Sequence, residues 1–459
     1  MGTIRTYFTK NNTIVKNSAV NTGRNPVSEL YYGNRNSRFL FYCDFTDLKE
    51  KYRNKELIID DTTKHILNIK PTSSFDIMPY LNEENNLVFG NMQRATSFDL
   101  ELKELLKDWD EGIGYDFNPN ESRKPYDQAY SNDISNWFGM TGDTLGDVIT
   151  TGEPKHLHLD KGNEDIIMDV TDFVNNIITG DTEYKGFCLK YTDEFENPTG
   201  ITKFDKNEVY AFGLFTRHTQ SFFEPFIEST FDDVIKDDRG DFYLKKTNRL
   251  YLYFSVDGKN ENFDELPTCE IAATDDFTGV TLNVKQQSRG VYYVEVEEND
   301  LFNANTLYND IWDNLKFDGK DLKSKKMSFV PKVEEDYYLI GENVLNPIKY
   351  GVSLSGIKSE EKMHQGEKRR INVLLRKPYT VNQVDVVTKI YYKLYIKRGQ
   401  DQTVVTDWLE VNKTYGSNFF TIDTSWLIPQ TYFIDIKVDR NGETNIYNEE
   451  LKFIILNKK

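Results

Sequence analysis

Short runs of alternating apolar and polar residues recur along the chain, and they constrain its fold more than any other feature. Residues 249–256, 290–296 and 430–438 place apolar side chains at about every second position, which is the period of a strand with one buried face. Residues 37–45 are almost continuously apolar, as expected for a strand covered on both faces. The pattern predicts an all-β protein.

Composition agrees with this fold class. Aromatic residues make up 14% of the chain, with 28 Tyr and 30 Phe, and aromatic side chains suit strands. Long runs of Ala, Leu, Glu and Lys are missing, which excludes an all-α protein. A length of 459 residues predicts two to four domains.

The spacing of the strand-type runs predicts three domains. About ten short strands with irregular loops predict an N-terminal jelly-roll β-sandwich over residues 1–241. Two immunoglobulin-like β-sandwiches are predicted to follow, over residues 242–332 and 333–459. Residues 439–442 (DRNG) predict a hairpin turn, and residues 425–429 (SWLIP), ahead of a Tyr-rich strand, are typical of a sandwich corner.

Three segments depart from a plain strand pattern. Residues 101–107 predict one or two helical turns. Residues 165–178 predict a strand that runs into a short helix, with Thr171 or Asp172 as its N-cap. The charged, turn-rich residues 232–240 predict a linker or an exposed turn.

The charge balance excludes one class of partner. The formal net charge is −18, whereas a protein that binds duplex DNA needs a basic stripe to displace counterions. We therefore expect no nucleic-acid binding. The short basic cluster Lys368-Arg369-Arg370 is expected to meet an acidic partner subunit or solvent.

The cysteines and the N-terminal sequence suggest where the protein is made. Cys43, Cys188 and Cys269 lie far apart in apolar settings, which predicts buried free thiols in a reducing cytoplasm. Residues 1–5 run straight into strand-type sequence without an apolar leader. No apolar stretch approaches the roughly 20 residues that span a bilayer, so no membrane insertion is expected.

The acidic tryptophan loop, residues 108–114 (DWDEGIG), is the main candidate for a site. Asp108, Asp110 and Glu111 suggest three alternatives: a carboxylate pair for glycoside cleavage, a calcium loop, or a structural loop with Trp109 packed inward. We favour the structural loop, with calcium second. Neighbouring loop carboxylates do not by themselves supply two carboxyls across a cleft. The sequence therefore predicts no catalytic residue, no cofactor and no metal.

Histidines and common motifs offer little chemistry. His156 and His158 form an H-x-H pair on a predicted strand, with both imidazoles on one face. No third metal ligand is identifiable by spacing, so a solvated or stacked pair is favoured. His218 is interpreted as a loop residue. The sequence has no Walker-type loop, no dinucleotide fingerprint and no nucleophile elbow around Ser221 or Ser37.

A series of landmarks up to about residue 230 resembles the DNRLRE-type domain, a jelly roll similar to carbohydrate-binding modules. The landmarks are, in order, an Asn-Thr-Gly turn at 21–23, an Arg-led apolar strand at 38–48, the Trp-acid-Glu-Gly loop at 109–112, Trp137, Asp-Val-Thr at 169–171, Gly186-Phe187 and a Pro-Phe-Ile-Glu stretch at 225–228. A long insertion around residues 115–133 departs from that family. The resemblance implies a fold found in extracellular and surface proteins.

The whole chain also resembles a tail ring structural protein of the short-tailed crAss-like phages. Residues 3–14 (TIRTYFTKNNTI) and the domain plan carry this resemblance, and richness in Lys, Asn and Tyr suits an AT-rich phage genome. It implies a virion protein of the phage tail, made in the host cytoplasm. It further implies a homo-oligomeric ring in the tail barrel, contacts with other tail or portal-proximal proteins, and no catalytic residues.

Two alternatives to the ring protein differ from it in function class. The first is a carbohydrate-binding adhesin, or a tail-fibre-type receptor-binding module, that uses the jelly-roll loops and calcium. Such a protein should expose an aromatic platform and persist as a monomer. The second, a polysaccharide-cleaving enzyme, is the least favoured.

Overall fold

The computed structural model confirms an all-β chain. It describes the following ranges: 2–15, 22–33, 36–72, 80–81, 87–88, 91–106, 108–112, 114, 153–180, 183–196, 208–240, 242–274, 277–297, 302–333, 351–376, 389–399, 401–414, 417–440 and 443–458. Trp137 and the insertion around residues 115–133 lie outside them. No helix in these ranges is long and apolar enough to cross a membrane.

The chain divides into two compact units. The N-terminal unit comprises Ile4–Tyr52 and Ile59–Thr230, and the C-terminal unit comprises Phe231–Lys459 with Met1–Thr3 and Arg53–Ile58. The division into three domains at residues 241 and 332 stays a prediction.

In its described residues, the N-terminal jelly roll consists of short strands and three helices. The strands are β1 (Gly2–Val15), β2 (Val27–Gly33), β3 (Ser37–Cys43), β4 (Lys64–Ile69), β5 (Tyr80–Leu81), β6 (Leu87–Val88), β7 (Asn91–Arg94), β8 (Phe98–Glu104), β9 (Lys155–Leu159), β10 (Ile166–Asp169), β11 (Phe187–Tyr191), β12 (Glu208–Phe215) and β13 (Phe226–Phe231). The helices are α1 (Thr46–Arg53), α2 (Thr171–Thr179) and α3 (Asp193–Glu196).

One large sheet organises this β-sandwich. Its strand order is β10-β4-β13-β1-β3-β11-β8-β9, and a smaller sheet has the order β2-β12-β7. The long β1 serves both halves of the large sheet: its residues from Phe8 to Val15 pair antiparallel with β3, and Arg5 bonds Glu228 of β13 at 2.8 Å. Strands β9 and β10 are the two ends of the large sheet.

The C-terminal unit contains two further sets of strands. The first set is β14 (Asn248–Tyr253), β15 (Ser255–Val256), β16 (Lys259–Asn260), β17 (Thr268–Ile271), β18 (Val280–Leu282), β19 (Val284–Ser288), β20 (Val291–Val296), β21 (Tyr308–Asp313), β22 (Lys316–Phe317), β23 (Lys320–Asp321) and β24 (Lys325–Phe329). The second set is β25 (Gly351–Ser355), β26 (Glu361–His364), β27 (Lys368–Arg376), β28 (Lys389–Arg398), β29 (Asp401–Val404), β30 (Leu409–Glu410), β31 (Asn412–Thr414), β32 (Ser417–Asp423), β33 (Thr431–Arg440) and β34 (Glu443–Leu456).

Each set forms an immunoglobulin-like sandwich around its own core, as predicted. The first packs sheets β14-β20-β19 and β18-β17-β21-β24 around a core that includes the fully buried Trp312. The second packs β25-β27-β32-β31 against β26-β34-β33-β28-β29. Its core draws apolar residues from both sheets, among them Ile371, Leu394 and Ile436.

Two local predictions in the second sandwich are confirmed. Strands β33 and β34 form a hairpin in which Arg440 pairs with Glu443, as the DRNG turn predicted. At the predicted corner, the Tyr432 hydroxyl donates to the Ile428 carbonyl at 2.8 Å. A tyrosine that bonds the backbone a few residues upstream is a recurrent corner device in such sandwiches.

The prediction of helical turns over residues 101–107 is wrong, because Phe98–Glu104 is a strand. It pairs with β11 on one side and with β9 on the other. Leu100 and Leu102 are buried, but Glu101 and Lys103 are buried as well. These two charged residues are enclosed in the sandwich.

The predicted strand-to-helix passage at residues 165–178 is confirmed as β10 and α2, but its N-cap is not. The N-cap is Val170, which has no side-chain capping bond. Thr171 lies inside the helix, and its hydroxyl accepts the His65 backbone N–H at 3.0 Å. The Asp169 carboxylate accepts the Thr171 N–H at 2.9 Å. Hydrogen bonds of Asp169 and Thr171 therefore stand at the start of α2 in place of the predicted side-chain cap.

Residues 232–240 are not an exposed turn. The Asp237 N–H donates to the Lys413 carbonyl at 3.1 Å, and the Lys413 N–H donates to the Ile235 carbonyl at 2.8 Å. The next residue, Asp238, donates its N–H to the Arg249 carbonyl at 2.9 Å. This segment therefore bonds β31 of one sandwich and β14 of the other, which gives its backbone groups the partners that a solvated turn would find in water.

Candidate functional site

The acidic tryptophan loop is anchored by its indole. Trp109 is 4% exposed and packs in a cluster with Ile14, Leu40, Leu105 and Cys188. Its indole N–H donates to the Lys185 carbonyl at 3.0 Å, which satisfies the one polar atom that burial would otherwise penalise. Trp109 therefore packs inward, as expected from the sequence.

A lysine of β1 holds the same residue from outside. The Lys10 ammonium donates to the Trp109 carbonyl at 2.9 Å and lies 4.7 Å from the centre of the indole ring. This is the geometry of a cation–π contact. The loop is thereby fixed to the central strand of the large sheet.

Glu111 makes the densest set of contacts in the loop. Its carboxylate accepts two bonds from Arg217, from Nε at 2.7 Å and from Nη2 at 2.9 Å. It also accepts the Asn11 backbone N–H at 3.0 Å and lies 3.2 Å from His218 Nε2. A bidentate arginine–carboxylate pair of this kind is stronger and more specific in geometry than a single hydrogen bond.

Gly23 of the Asn-Thr-Gly landmark packs directly on this loop. A Cβ at Gly23 would lie 1.9 Å from the Glu111 carbonyl oxygen, a distance that no side chain tolerates. The Arg24 N–H donates to the Gly114 carbonyl at 2.9 Å. Two landmarks almost 90 residues apart in the sequence are therefore neighbours, which neither spacing nor periodicity could predict.

The three calcium candidates do not share a common position. The Asp108 carboxylate is held by the Lys185 ammonium at 2.7 Å, Glu111 is held by Arg217, and Asp110 is exposed. The hydrogen bond to Asp108, followed by that to Glu183, raises the pKa of Lys185. Within the described ranges, no group of three acidic, His or Cys side chains is placed to hold a metal ion. These residues do not fit a calcium loop.

The histidines divide into separate environments. His156 and His158 are both exposed on β9, and His158 Nδ1 lies 2.8 Å from Asp99 Oδ1. That bond, as the largest cause, raises the pKa of His158. His218 belongs to the Glu111 cluster, a role that its position in the sequence did not indicate.

A cleft of about 360 Å³ lies beside the H-x-H strand. Residues of β9 and β10 line it together with Lys64 and the first turn of α2; from β9 these are Lys155, His156 and Leu157. Lys155 is bonded to Asp172 of α2 at 2.7 Å. Its lining combines charged side chains with the exposed Ile167.

A buried ion network in the N-terminal unit was not anticipated from sequence. Arg38 and Glu196 are each 1% exposed and form a bidentate pair at 3.0 and 2.6 Å. Lys190, also 1% exposed, lies 2.6 Å from Glu101 and 3.4 Å from Glu196. Burial alone would lower the pKa of Arg38, but Glu196 outweighs it and the pKa is raised. The network is enclosed, so we assign it to structure.

The cysteines are buried free thiols, as predicted. Burial raises the pKa of Cys188 to about 12 and that of Cys269 to about 12, and it raises the pKa of Cys43 as well. Thiolate is the reactive form. The three side chains are therefore unreactive parts of the cores.

The basic cluster on β27 meets partners within the chain. Lys368 lies 3.3 Å from Asp423, and Arg369 lies 3.4 Å from Glu361. The Arg370 guanidinium stacks over the Phe419 ring at 3.6 Å.

The outward face of β28 carries the row Lys389, Tyr391, Lys393, Tyr395, Lys397, because the alternate residues belong to the core. The opposite strand β33 supplies Asp435 against Lys393 at 3.4 Å. Lys437 lies over the Tyr391 ring at 4.2 Å, and Tyr395 is fully buried. These rings are covered by lysines rather than presented flat to solvent.

Comparison with known proteins gives only distant structural likenesses. No family model matches the chain, and no curated protein matches it significantly. Fibronectin(III)-like modules of CbhA from Clostridium thermocellum share 12% identity over 50% of this chain and 94% of theirs, with a TM-score of 0.16. Tandem Ig repeats of Dlar share 10% identity over 47% and 93%, with a TM-score of 0.16.

One further solved structure matches along most of the chain. It is a DUF4785 family protein from Legionella pneumophila, with 10% identity over 96% of this chain and 91% of that one, and a TM-score of 0.18. At TM-scores this low, none of the likenesses supports a statement about activity or partners.

Proposed function

We propose that this chain is a structural protein of a bacteriophage virion, a ring or barrel component of the tail. The observation that carries the proposal is the state of Glu111, the best placed of the sequence-predicted carboxylates. A general acid or base needs carboxylate oxygens within reach of a substrate, whereas those of Glu111 already contact Arg217, His218 and the Asn11 backbone N–H. The residues that suggested chemistry thus hold loops together.

The proposed mechanism is assembly by interface burial rather than catalysis. The chain forms a homo-oligomeric ring and contacts other tail or portal-proximal proteins through sandwich edges and loops. A net charge of −18 keeps free subunits soluble and makes the pairing of charged patches matter for register. The protein is made in the host cytoplasm and resides in the virion tail.

Native mass tests this proposal. The purified chain is measured alone and after disruption of particles from the phage that encodes it. We expect a large homo-oligomer, or one that forms only together with other tail proteins, and the chain among the virion proteins. A chain that is strictly monomeric and absent from virions would overturn the proposal.

A second candidate function is a carbohydrate-binding adhesin or a tail-fibre-type receptor-binding module. The cleft between β9 and β10 favours it, because charged and apolar side chains line one concave space of about 360 Å³. The row on β28 does not add to it, since sugar stacking needs open aromatic faces. Binding of soluble oligosaccharides to monomeric protein, abolished by Lys155→Ala and kept in Lys323→Ala, would establish this alternative over the ring.

A further inference from the structure

Two short hairpins of the first immunoglobulin-like sandwich have almost the same sequence. Asp257-Gly258 joins β15 to β16, and Asp318-Gly319 joins β22 to β23. The flanking residues match as well, since residues 256–259 read VDGK and residues 317–320 read FDGK. In each hairpin the residue before the aspartate pairs with the lysine after the glycine. The chain therefore contains two closely matched Asp-Gly turns.

The two turns also share their backbone conformation. The φ angles are 50° and 77° at Asp257 and Gly258, and 51° and 69° at Asp318 and Gly319. A positive φ at both central residues is typical of the type I′ turn, in which Asp-Gly is a preferred sequence. All four residues are exposed, and a Cβ added at either glycine would have no atom within 4 Å.

One contact distinguishes the two turns. The Asp264 carboxylate accepts the Asp318 N–H at 3.1 Å and the Gly319 N–H at 2.8 Å. Asp264 is itself placed beside this hairpin, because its N–H donates to the Lys316 carbonyl at 2.8 Å. Within the described ranges, the Gly258 N–H has no hydrogen-bond acceptor. The glycine amide is therefore bound in one turn and unbound in the other.

An Asp-Gly sequence is capable of an intramolecular reaction with a free glycine amide. The glycine nitrogen bonds to the side-chain carboxyl carbon, the amide proton is lost, and a carboxyl oxygen leaves as water, which closes a five-membered succinimide. Water then opens this ring at either carbonyl. Opening at the main-chain carbonyl gives isoaspartate, in which the backbone runs through the former side chain. Glycine favours the reaction because it has no side chain to hinder the approach.

Asp264 opposes this reaction at one turn only. The Gly319 N–H is directed at the Asp264 carboxylate, and a negative charge so close disfavours loss of the amide proton. We propose that Asp257 is a site of spontaneous isoaspartate formation in the folded protein, and that Asp264 suppresses the same reaction at Asp318. This modification does not depend on the proposed tail function.

Rates of isoaspartate formation at the two turns test the inference. The native full-length protein is incubated at pH 6.5 in water enriched in oxygen-18, and the peptides that contain each turn are compared by chromatography and mass spectrometry. Each opening of a succinimide adds one labelled oxygen. Isoaspartate should form at Asp257 at least fivefold faster than at Asp318. In denatured protein the two rates should become similar, because the local sequences match.

Three variants identify the cause of the difference. Asp264→Ala should raise the rate at Asp318 to that at Asp257 and leave the rate at Asp257 unchanged. Glu270→Ala removes another exposed carboxylate from the same sandwich and should change neither rate. Asp257→Glu should abolish the modification at this turn, because the longer side chain would have to close a six-membered ring. The thiol of Cys269, buried in the same sandwich, should stay unreactive in each variant that is folded.

The opposite results are equally clear. Equal rates at the two turns in native protein would overturn the inference. A difference that persists in folded Asp264→Ala would show that Asp264 does not protect Asp318. If both turns react only after denaturation, the folded backbone prevents the reaction at both turns, and the inference fails.

Discussion

Glu111 connects its loop with three other parts of the N-terminal unit, two of them through its carboxylate and one through its backbone. Its partners are Arg217, His218 and the backbone of Asn11, while its own backbone packs against Gly23. With only 15% of the Glu111 side chain exposed, these bonds are largely shielded from water. The loop therefore has a structural role, in which the Glu111 carboxylate binds neighbouring segments.

This role predicts an unequal response to two similar substitutions. Glu111→Gln should lower the free energy of unfolding by about 2 kcal/mol, because an amide cannot accept a bidentate, charge-assisted bond from Arg217. Asp110→Asn removes the same charge from the same loop at an exposed position and should change the stability little. Urea denaturation of both variants measures this. Equal losses of stability in the two variants would contradict this structural role of Glu111.

His65 gives the N-terminal unit a predicted sensitivity to acid. The ring is fully buried, with Nδ1 at 2.7 Å from Ser229 and Nε2 at 3.0 Å from Asn175 of α2. Burial lowers its pKa from 6.5 to about 4. The unfolded chain therefore binds a proton more tightly than the folded one, so stability is full above pH 6.5 and falls as the pH decreases toward 4.

The predicted loss is about 3 kcal/mol across that pH window. It is measured as the free energy of unfolding between pH 7 and pH 4 in the native chain and in His65→Gln, which cannot titrate. The difference between the two should shrink steadily with acid. A constant difference would show that His65 does not cause the effect.

At the scale of elements, the sequence predicted strands well where one face meets a core and the other meets water. Strand β28 is an example, with Leu394 and Ile396 inward and Lys393 and Lys397 outward. Residues 101–107 were predicted as helical turns, whereas Phe98–Glu104 forms strand β8, in which Glu101 and Lys103 are buried. Lys190, the partner of Glu101, lies almost 90 residues away in the sequence, so no local pattern could show that these charges are buried.

The same limit applied to the candidate site. The residue types of the Trp loop were sufficient to expect an inward Trp109. They could not show that Arg217 and His218 would contact Glu111. These residues are separated from Glu111 by 106 and 107 positions in the sequence, and only the folding of the chain brings them together. The periodicity of apolar residues does not show which polar groups pair when they lie far apart in the sequence.

The segment before β14 gives a testable prediction at this scale. Arg239 bridges Asp237 at 2.9 Å and Asp310 at 2.5 Å, and Asp310 is fully buried and accepts the Trp312 indole N–H at 2.7 Å. Asp310→Asn should destabilise the C-terminal unit by about 3 kcal/mol, because it leaves a buried guanidinium short of one counter-charge.

Asp313→Asn is the control for this prediction, because Asp313 lies on the same strand β21 and is only partly buried. Thermal unfolding of both variants in the full-length chain measures the difference. If the two variants melt alike, the segment is not held by this ion pair.

At the scale of the whole molecule, the three thiols report on the integrity of each core. Cys43 and Cys188 belong to the N-terminal unit and Cys269 to the C-terminal unit. Native protein at pH 8 should react with none of them over minutes, because they are buried and their pKa values are raised. Three thiols should react in denaturant. Rapid reaction of a thiol in native protein would show that its core opens.

The long first strand has a consequence for synthesis. Strand β1 lies in the large sheet between β3, which follows it closely, and β13, which ends at Phe231. As the chain leaves the ribosome, β1 can meet β3 early but must wait for almost half of the protein before its other neighbour exists. During that interval one side of β1 is a bare edge, the kind of surface that chaperones shield. Translation speed before residue 231 should therefore influence the yield of folded protein.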